Sequence, residues 1–390
     1  MNEELNSVDE LIEDIKACLT EAPEPESAPA PQSAPAPKKR SGWRKFFKVM
    51  GVFLLILVET VLLLAGALYG GMYVLAKGPS PTARDMFVRS VRETSAGGFL
   101  ANLFFSEDEI AAIVGGVEVP EYNDMDHSLI QLPTKPDPGE TKPTGPVTDD
   151  WGLVDDDGDG LILEKVKGEG YSGHMLVILD PSRVTMGSVP SSYGKQGYTV
   201  EAMVKHFDAV AGINGGGFYD PNGQGNGSIP DTMVVYEGKI YYPEFGTRDG
   251  FAGFDRNHIL HVGNFTPEDI KARDIQYGVC FGPVLVVNGQ KVDKSILESG
   301  VNPRTAIGQR SDGAILMLIV DGRQISSLGA TYSDLADIML SYGAVNACNL
   351  DGGSSSMMWY KDGYVNNSAS LIGIRPIPTA FIVLKEGRDG

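Results

Sequence analysis

Residues 49–76 form one long apolar run, VMGVFLLILVETVLLLAGALYGGMYVLA, interrupted by a single charged side chain. As a helix this run would be roughly 42 Å long, whereas the hydrocarbon core of a bilayer is about 30 Å thick. The run is too long, and starts too far from Met1, for a cleaved signal peptide. We therefore expect one transmembrane helix over residues 49–76, which divides the chain into parts that face different solvents.

The charges beside this run predict its orientation. Six basic residues precede it without an intervening acid: Lys38, Lys39, Arg40, Arg44, Lys45 and Lys48. Basic flanks stay in the cytoplasm, so we expect a single-pass protein of the cell membrane with a cytoplasmic N-terminus and everything after Lys77 outside.

Residues 1–48 are predicted to be a cytoplasmic tail that ends in this basic juxtamembrane block. Residues 1–37 carry nine acidic side chains and one lysine, and alternate Pro with Ala toward their end. So few apolar side chains do not offset the entropy of an ordered chain, which predicts disorder. Residues 8–19 have helical spacing, which indicates a transient helix in solution. The alternative is a helix that folds on a cytoplasmic partner of the tail.

Three segments follow the membrane run. Residues 77–117 have helical spacing and a capping-box pattern at Ser106 and Glu109. Residues 118–150 hold six prolines and no periodic pattern, which indicates a linker. Residues 151–390 are long enough for one large core. They read as α/β (α+β): a strand-rich mixed sheet core with few helices, including hairpins in YEGKIYY and VLVVNGQKV and helices in TVEAMVKHFDAV and TYSDLADIMLSYG.

Charge and cysteine content exclude some classes of function. From Lys77 onward there are 41 acidic and 25 basic residues, so nucleic acid would be repelled and no nucleic-acid partner is expected. Cys280 and Cys348 would both lie outside the membrane, where they either pair or remain buried free thiols. Five scattered histidines form no metal-ligand cluster, so no metal site is expected from them.

Four polar clusters interrupt the apolar strands of residues 151–390. They are NGGGFY from Asn214, NPRTAIG from Asn302, the DGR triplet at Asp321, and the turn DGGSSS from Asp351. The last lies between two apolar runs, so its glycines and hydroxyls are expected in a rigid turn that a polar ligand can approach. Asp351 and Asp321 supply carboxylates at strand ends, and Arg304 and Arg323 supply planar guanidinium forks suited to phosphate.

This inventory fits hydrolysis at a sugar anomeric carbon with phosphate as the leaving group. A sugar alkoxide leaves poorly and needs a strong general acid, whereas a phosphate monoester, with a second pKa of roughly 6, leaves readily. Arginines that neutralise the phosphate would replace much of that acid's work.

The order of NGGGFY, NPRTAIG, VDGR, NLDGGSSS and RPIPTAF resembles the phosphodiester glycosidase family over roughly residues 170–385. The resemblance implies a sugar-phosphodiester pocket. Our own hypothesis for the roles within it makes Asp351 and Asp321 the nucleophile or base and the acid or sugar-binding carboxylates, and Arg304 and Arg323 the phosphate clamps. The remaining positions that match the family's site motifs are Asn214, Gly215, Gly216, Phe218, Thr305, Gly352, Gly353, Ser354 and Ser355.

The membrane run and the low cysteine count differ from the family's lysosomal members. They indicate a bacterial cell envelope, where glycosyl phosphodiesters occur in teichoic acids and exopolysaccharides, so an envelope glycan is the expected partner. The alternative function is a non-catalytic protein that binds sugar phosphates or assists polysaccharide assembly, because a binding site could keep the same groups.

Residues 155–160, DDDGDG, match the start of an EF-hand loop. Asp155, Asp157 and Asp159 offer oxygens at its first, third and fifth positions, but Val166 stands at the twelfth, where a bidentate glutamate belongs. The sequence therefore predicts no cofactor, with weak calcium binding at these three aspartates as the alternative.

Overall fold

The computed structural model describes residues 42–94, 97–115, 125–133, 145–243, 250–370 and 373–387. The predictions for the acidic tail and for much of the proline-rich stretch lie outside these residues. The chain divides into two compact units, with the boundary between Leu68 and Tyr69.

A single helix, α1, runs from Gly42 to Lys77 and contains the predicted span. Within Trp43–Lys77, an 18-residue window has a mean hydropathy of 2.5, and none of that window is buried within the protein. The helix is confirmed, and its length and composition are sufficient to cross a membrane.

Three short helices follow, as the spacing of residues 77–117 predicts: α2 (Pro81–Arg92), α3 (Phe99–Asn102) and α4 (Glu107–Val114). The predicted capping box is present, because Ser106 accepts from the backbone of Glu109 and the Glu109 carboxylate accepts from that of Ser106. Val88, Ala101, Phe105 and Ile110 of this segment form a small core together with Ala76 from the end of α1.

The remaining chain is rich in strands. The helices are α5 (Val200–His206), α6 (Pro267–Ala272) and α7 (Tyr332–Ser341). The strands are β1 (Val147–Thr148), β2 (Val154–Asp155), β3 (Leu161–Gly168), β4 (Tyr171–Ile178), β5 (Val184–Ser188), β6 (Ala209–Asn214), β7 (Val234–Tyr236), β8 (Lys239–Tyr241), β9 (Phe251–Asp255), β10 (Leu260–Gly263), β11 (Ile275–Cys280), β12 (Val284–Val287), β13 (Gln290–Lys291), β14 (Arg304–Arg310), β15 (Ile315–Val320), β16 (Ala344–Leu350), β17 (Met358–Tyr360), β18 (Gly363–Tyr364) and β19 (Thr379–Leu384).

These strands form a seven-stranded sheet in the order β13-β12-β16-β14-β15-β4-β3, two five-stranded sheets, β18-β17-β6-β19-β5 and β10-β9-β11-β7-β8, and the pair β1-β2. The central strands β14, β15 and β16 are buried along their whole length, as continuous apolar runs require. One large core joins residues of all three larger sheets, which confirms a strand-rich fold with few helices.

Local signals located several elements correctly. Both predicted hairpins are present, β7-β8 and β12-β13, the second turning at Asn288 and Gly289 with positive φ at both. Thr331 caps α7 in a capping box with Asp334, and Gly343 ends the helix at a φ of +82°. The six-residue helix α6 was missed, because it buries a single side chain, Ile270, and so has no apolar periodicity to read. Cys280 and Cys348 are buried free thiols, the second of the two alternatives left open.

Candidate active site

A cleft of about 780 Å³ opens where β16 and β6 end. Its floor is the Gly/Ser turn, residues 351–355, and its walls include Phe218, Asp231, Arg323 and Arg375. The four sequence clusters, which begin at Asn214, Asn302, Asp321 and Asp351, therefore each contribute at least one residue to one cavity.

The Gly/Ser turn is held by backbone hydrogen bonds on both sides. The Asp351 amide donates to the Gly215 carbonyl oxygen at 3.1 Å, and the Gly353 amide donates to that of Pro303 at 2.9 Å. Gly353 has a φ of +61°, where a side chain would be strained. The turn is thus a fixed structure, as expected from its apolar flanks.

Asn214 holds the turn from beneath. This side chain is fully buried; its Nδ2 donates to the Asp351 carbonyl oxygen at 2.6 Å, and its Oδ1 accepts from Thr305 Oγ1 at 2.8 Å. Oδ1 also accepts from the Met357 amide at 3.1 Å. Asn214 therefore ties β6 of one sheet to β14 and the end of β16 in the other, and it does not line the cleft.

Asp351 presents a partly buried carboxylate to the cleft. Its Oδ1 accepts from the Gly352 amide at 2.8 Å. Burial raises the pKa of Asp351 to about 7, and the charge of Asp231 adds to this, against lowering by a hydrogen bond from Ser355 and by Arg375. A carboxylate that titrates near neutrality can exchange a proton with a reactant.

Asp231 is a second carboxylate in the cleft, and sequence reasoning missed it. The isolated bridge between Phe218 and Pro230 brings it opposite Gly217. A Cβ at Gly217 would lie 2.6 Å from Asp231 Oδ1, so only glycine leaves room for this carboxylate. Asp231 lies in an irregular segment, SIPDT, where no strand or turn signal distinguishes it.

Two arginines flank the turn. Arg375 binds Asp220 through two parallel bonds of 2.7 and 2.6 Å, and its Nη1 lies 3.4 Å from Ser354 Oγ. The hydrogen bonds with Asp220 raise the pKa of Arg375. Arg375 is the first residue of the RPIPTAF motif but was not among the predicted site residues.

Arg323 lies on the other side of the turn, where a Cβ at Gly353 would be 3.4 Å from its Nη2. Its backbone has a φ of +56°, uncommon outside glycine and asparagine. Burial lowers the pKa of Arg323, and the nearby charge of Arg304 lowers it further. Of the two arginines that the sequence predicts to bind phosphate, Arg323 is the one that lines the cleft.

Arg304 and Asp321, also predicted site residues, are not among the residues that line the cleft. Arg304 is 3% exposed; its Nε donates to the Ala330 carbonyl oxygen at 3.1 Å and its Nη2 pairs with Glu93 at 2.5 Å. Asp321 is 9% exposed and accepts from the Asn367 amide at 3.1 Å. Both therefore sit behind the cleft in this structure, where they can support residues that line it.

The other predicted positions divide in the same way. Gly215, Gly216 and Thr305 lie behind the cleft, whereas Phe218, Gly352, Gly353, Ser354 and Ser355 line it. The motif residues that form strand ends support the site, and those of the turn face the cavity.

The EF-hand-like loop lies elsewhere. Asp155, Asp157 and Asp159 offer oxygens within 4.8 Å of one another. The Lys361 ammonium lies 2.6 Å from Asp157 and 3.0 Å from Asp159, and both carboxylate oxygens of Asp155 accept backbone amides of the loop. The three carboxylates could hold a metal ion, and Lys361 supplies positive charge to the same cluster.

Residues 207–384 match the family model for phosphodiester glycosidase, over the part of the chain that carries the cleft's floor and both arginines. These residues belong to the phosphodiester glycosidase family. The phosphodiester glycosidase domain thus includes every cleft residue described above.

Known relatives match about half of the chain. The SPbeta prophage-derived uncharacterized protein YomE of Bacillus subtilis is 30% identical over 196 residues, which cover 47% of this chain and 29% of the relative. The human N-acetylglucosamine-1-phosphodiester alpha-N-acetylglucosaminidase is 25% identical over 209 residues, which cover 47% of this chain and 39% of the relative. The chain thus spans less than half the length of these curated relatives.

A solved structure is similar as well. The zebrafish N-acetylglucosamine-1-phosphodiester alpha-N-acetylglucosaminidase catalytic domain, auto-inhibited by its pro-peptide, aligns with a TM-score of 0.47 at 19% identity. The alignment covers 58% of this chain and 82% of that one.

Proposed function

We propose that the phosphodiester glycosidase domain hydrolyses the bond between a sugar anomeric carbon and the phosphate of a glycosyl phosphodiester. One observation carries this: the Gly/Ser turn presents the Asp351 carboxylate, whose pKa is raised to about 7, with Arg323 against Gly353 and Arg375 against Ser354. An acid–base group and two cationic walls meet in one cleft.

The arginines suit the leaving group. Breaking the bond from the anomeric carbon to oxygen releases a phosphate monoester, which gains negative charge as it departs. Guanidinium groups placed before the reaction stabilise that charge most effectively in a site that excludes water. Arg323 and Arg375 would do this from two sides, so no strong general acid is needed.

Asp351 suits the role of general base. A water oxygen attacks the anomeric carbon, the bond from that carbon to the phosphate oxygen breaks, and the water proton passes to Asp351. A base is most effective when its pKa lies near the operating pH. Asp231, the neighbouring carboxylate, would stabilise the positive charge that develops on the sugar ring.

The setting we propose is the outer face of a cell membrane, with the N-terminus in the cytoplasm. Three features support it: the length and composition of α1, the basic residues before it, and the acidic balance beyond Lys77. The substrate class that fits is an envelope glycan joined through phosphodiesters, such as a teichoic acid or an exopolysaccharide.

A panel of sugar 1-phosphate methyl esters tests the proposal on the full chain in detergent, with the released sugar detected directly. The wild type should release sugar from at least one ester, and D351N should retain binding while turnover falls. If neither protein releases sugar from any ester but both bind a sugar 1-phosphate alike, the function is the non-catalytic one of sugar-phosphate binding.

A further inference from the structure

One wall of the cleft comes from outside residues 207–384. Glu93, Thr94 and Gly97 line the cavity, directly after α2 ends at Arg92. Helix α2 and the glycosidase domain both belong to the compact unit that begins at Tyr69. The sequence pattern of residues 77–117 predicts a separate helical segment and gives no sign of a role in the site.

Glu93 accepts three hydrogen bonds, two from the loop that precedes β14 and one from the first residue of β14. Its Oε2 accepts from Arg304 Nη2 at 2.5 Å and from Asn302 Nδ2 at 3.0 Å, and its Oε1 accepts from the Gly300 amide at 2.9 Å. The Glu93 side chain remains 27% exposed. One carboxylate thus meets a buried guanidinium, a side-chain amide and a backbone amide.

The contact with Asn302 fixes which way that amide points. A carboxylate accepts hydrogen bonds but cannot donate them, so Asn302 must turn its Nδ2 toward Glu93. Its Oδ1 then faces Arg323 Nη2, from which it accepts at 3.0 Å. Thr94 Oγ1 accepts from the same Nη2 at 2.8 Å. Glu93 and Thr94 therefore set the orientation of Arg323, one through Asn302 and the other directly.

The contact with Arg304 compensates a buried charge. Arg304 is 3% exposed and lies 4.1 Å from the centre of the Tyr332 ring. Removing one partner of a buried ion pair leaves the other uncompensated. Glu93 also offsets the electrostatic repulsion between Arg304 and Arg323, whose guanidinium groups are close enough to influence one another.

The end of α2 is held firmly against this loop. The Val301 amide donates to Ser90 Oγ at 2.9 Å, and a Cβ at Gly300 would lie 2.2 Å from the Ser90 nitrogen, so only glycine permits the approach. Arg89 pairs with Glu298 at 2.8 Å on the outer side of the same contact. The helix therefore delivers Glu93 to a fixed place.

We propose that Glu93 is a positioning residue for the phosphate-binding side of the cleft: it fixes Asn302 and, through Asn302, the Arg323 guanidinium. The inference rests on the proposed function, because it takes Arg323 to contact the substrate phosphate. It makes the membrane-proximal segment part of the site of the phosphodiester glycosidase domain.

Three variants of the full chain test it. E93Q turns an amide donor toward Asn302 and Arg304, T94V removes the direct bond to Arg323, and E298Q breaks the outer ion pair with Arg89 as the matched control. Kinetics are measured on a sugar 1-phosphate methyl ester and on an aryl glycoside, which carries no phosphate. Binding of a sugar 1-phosphate is measured separately by calorimetry.

For the phosphate ester, E93Q should raise KM about 10-fold or more, the range expected for a lost hydrogen bond to a charged group. T94V should raise it less and E298Q should leave it unchanged. Cleavage of the aryl glycoside should change little, because this substrate has no phosphate for Arg323 to contact. Loss of stability alone would lower both activities together, with no selective change in KM, and would contradict the proposal.

Two further results would overturn the inference while leaving the proposed function intact. One is E93Q with wild-type kinetics on the phosphate ester. The other is E93Q with higher activity than the wild type, which would mean that Glu93, Thr94 and Gly97 obstruct the cleft. If the wild type cleaves no ester, the proposed function fails, but calorimetry still decides the inference: sugar 1-phosphate must bind more weakly to E93Q than to E298Q.

Discussion

Asn214 Nδ2 donates to the backbone carbonyl oxygen of Asp351 across 2.6 Å, and this bond joins the ends of two different sheets. Thr305 and the backbone of Met357 occupy the other side of the same amide. The Gly/Ser turn is therefore positioned by a buried side chain that does not line the cleft. Its orientation depends on the packing of the domain as a whole.

Replacing Asn214 with alanine should lower both stability and activity. Three polar groups would lose a buried partner, each costing about 1–3 kcal/mol, so we expect a loss of about 3 kcal/mol or more in the free energy of unfolding. Urea unfolding measures this loss. Q309A is the matched control, because Gln309 is also fully buried and bonds backbone groups of Leu260, His258 and Gly313. It should cost stability while leaving kcat/KM of the folded enzyme unchanged, and equal effects on kcat/KM would contradict the role of Asn214.

Asp351 should make the fold less stable as pH rises. Its pKa is about 7 when folded and near 3.8 when exposed. Between these values the folded state keeps a proton that the unfolded state has released, so raising pH through this window favours unfolding. Above pH 7 the loss in the free energy of unfolding reaches at most about 4 kcal/mol, at 1.36 kcal/mol per pKa unit. The partial exposure of the Asp351 side chain makes this loss smaller.

D351N should therefore gain stability over the wild type as pH rises from 4 to 7, with a constant advantage above that. Thermal unfolding across this range measures the difference. D362N, at an exposed aspartate, is the control for loss of one negative charge. An advantage of D351N that is independent of pH would argue against a carboxyl that stays protonated to neutral pH.

The same titration governs activity if Asp351 is the base. We expect kcat/KM to rise with pH through about 7, because only the ionised carboxylate accepts a proton. A pH–rate profile with a buffer-independent rise would support this. A fall through the same range would instead assign Asp351 as the general acid.

The sequence located the cleft's floor but only part of its walls. The turn 351–355 stands out because polar residues interrupt two apolar strands, and Arg323 follows a third such strand. Arg304 was predicted to clamp phosphate, since it also begins a strand. The structure instead buries its guanidinium against Glu93 and Tyr332, and a strand's first residue gives no indication of which side of the sheet its side chain takes.

Asp231 and Glu93 could not be found by such signals. Asp231 reaches the cleft through a bridge between Phe218 and Pro230, and Glu93 through contacts separated by more than 200 residues. Both placements depend on tertiary packing and not on local periodicity.

Gly217 should tolerate no side chain, because a Cβ there would lie 2.6 Å from Asp231 Oδ1. G217A should push this carboxylate away and lower kcat/KM by about 100-fold, the scale on which removal of one electrostatic contact to a transition state is felt. G363A is the control, since a Cβ at Gly363 meets nothing within 4 Å. Equal activities of G217A and G363A would remove Asp231 from the mechanism.

Arg375 should act through its planar fork. R375K keeps the charge but cannot make two parallel bonds to Asp220, and we expect kcat/KM on phosphate esters to fall about 10-fold or more. R256K alters an arginine paired with Asp274 at an exposed site and should have no effect. If both lysine variants retained full activity, Arg375 would serve only as a cation or not at all.

The most direct test is to hydrolyse a sugar 1-phosphate methyl ester in water labelled with ¹⁸O and to locate the label by mass spectrometry. Attack at the anomeric carbon predicts the label in the released sugar and none in the methyl phosphate. Label in the phosphate would show that the bond from phosphorus to oxygen is broken, and the enzyme would then be a phosphoesterase and not a glycosidase.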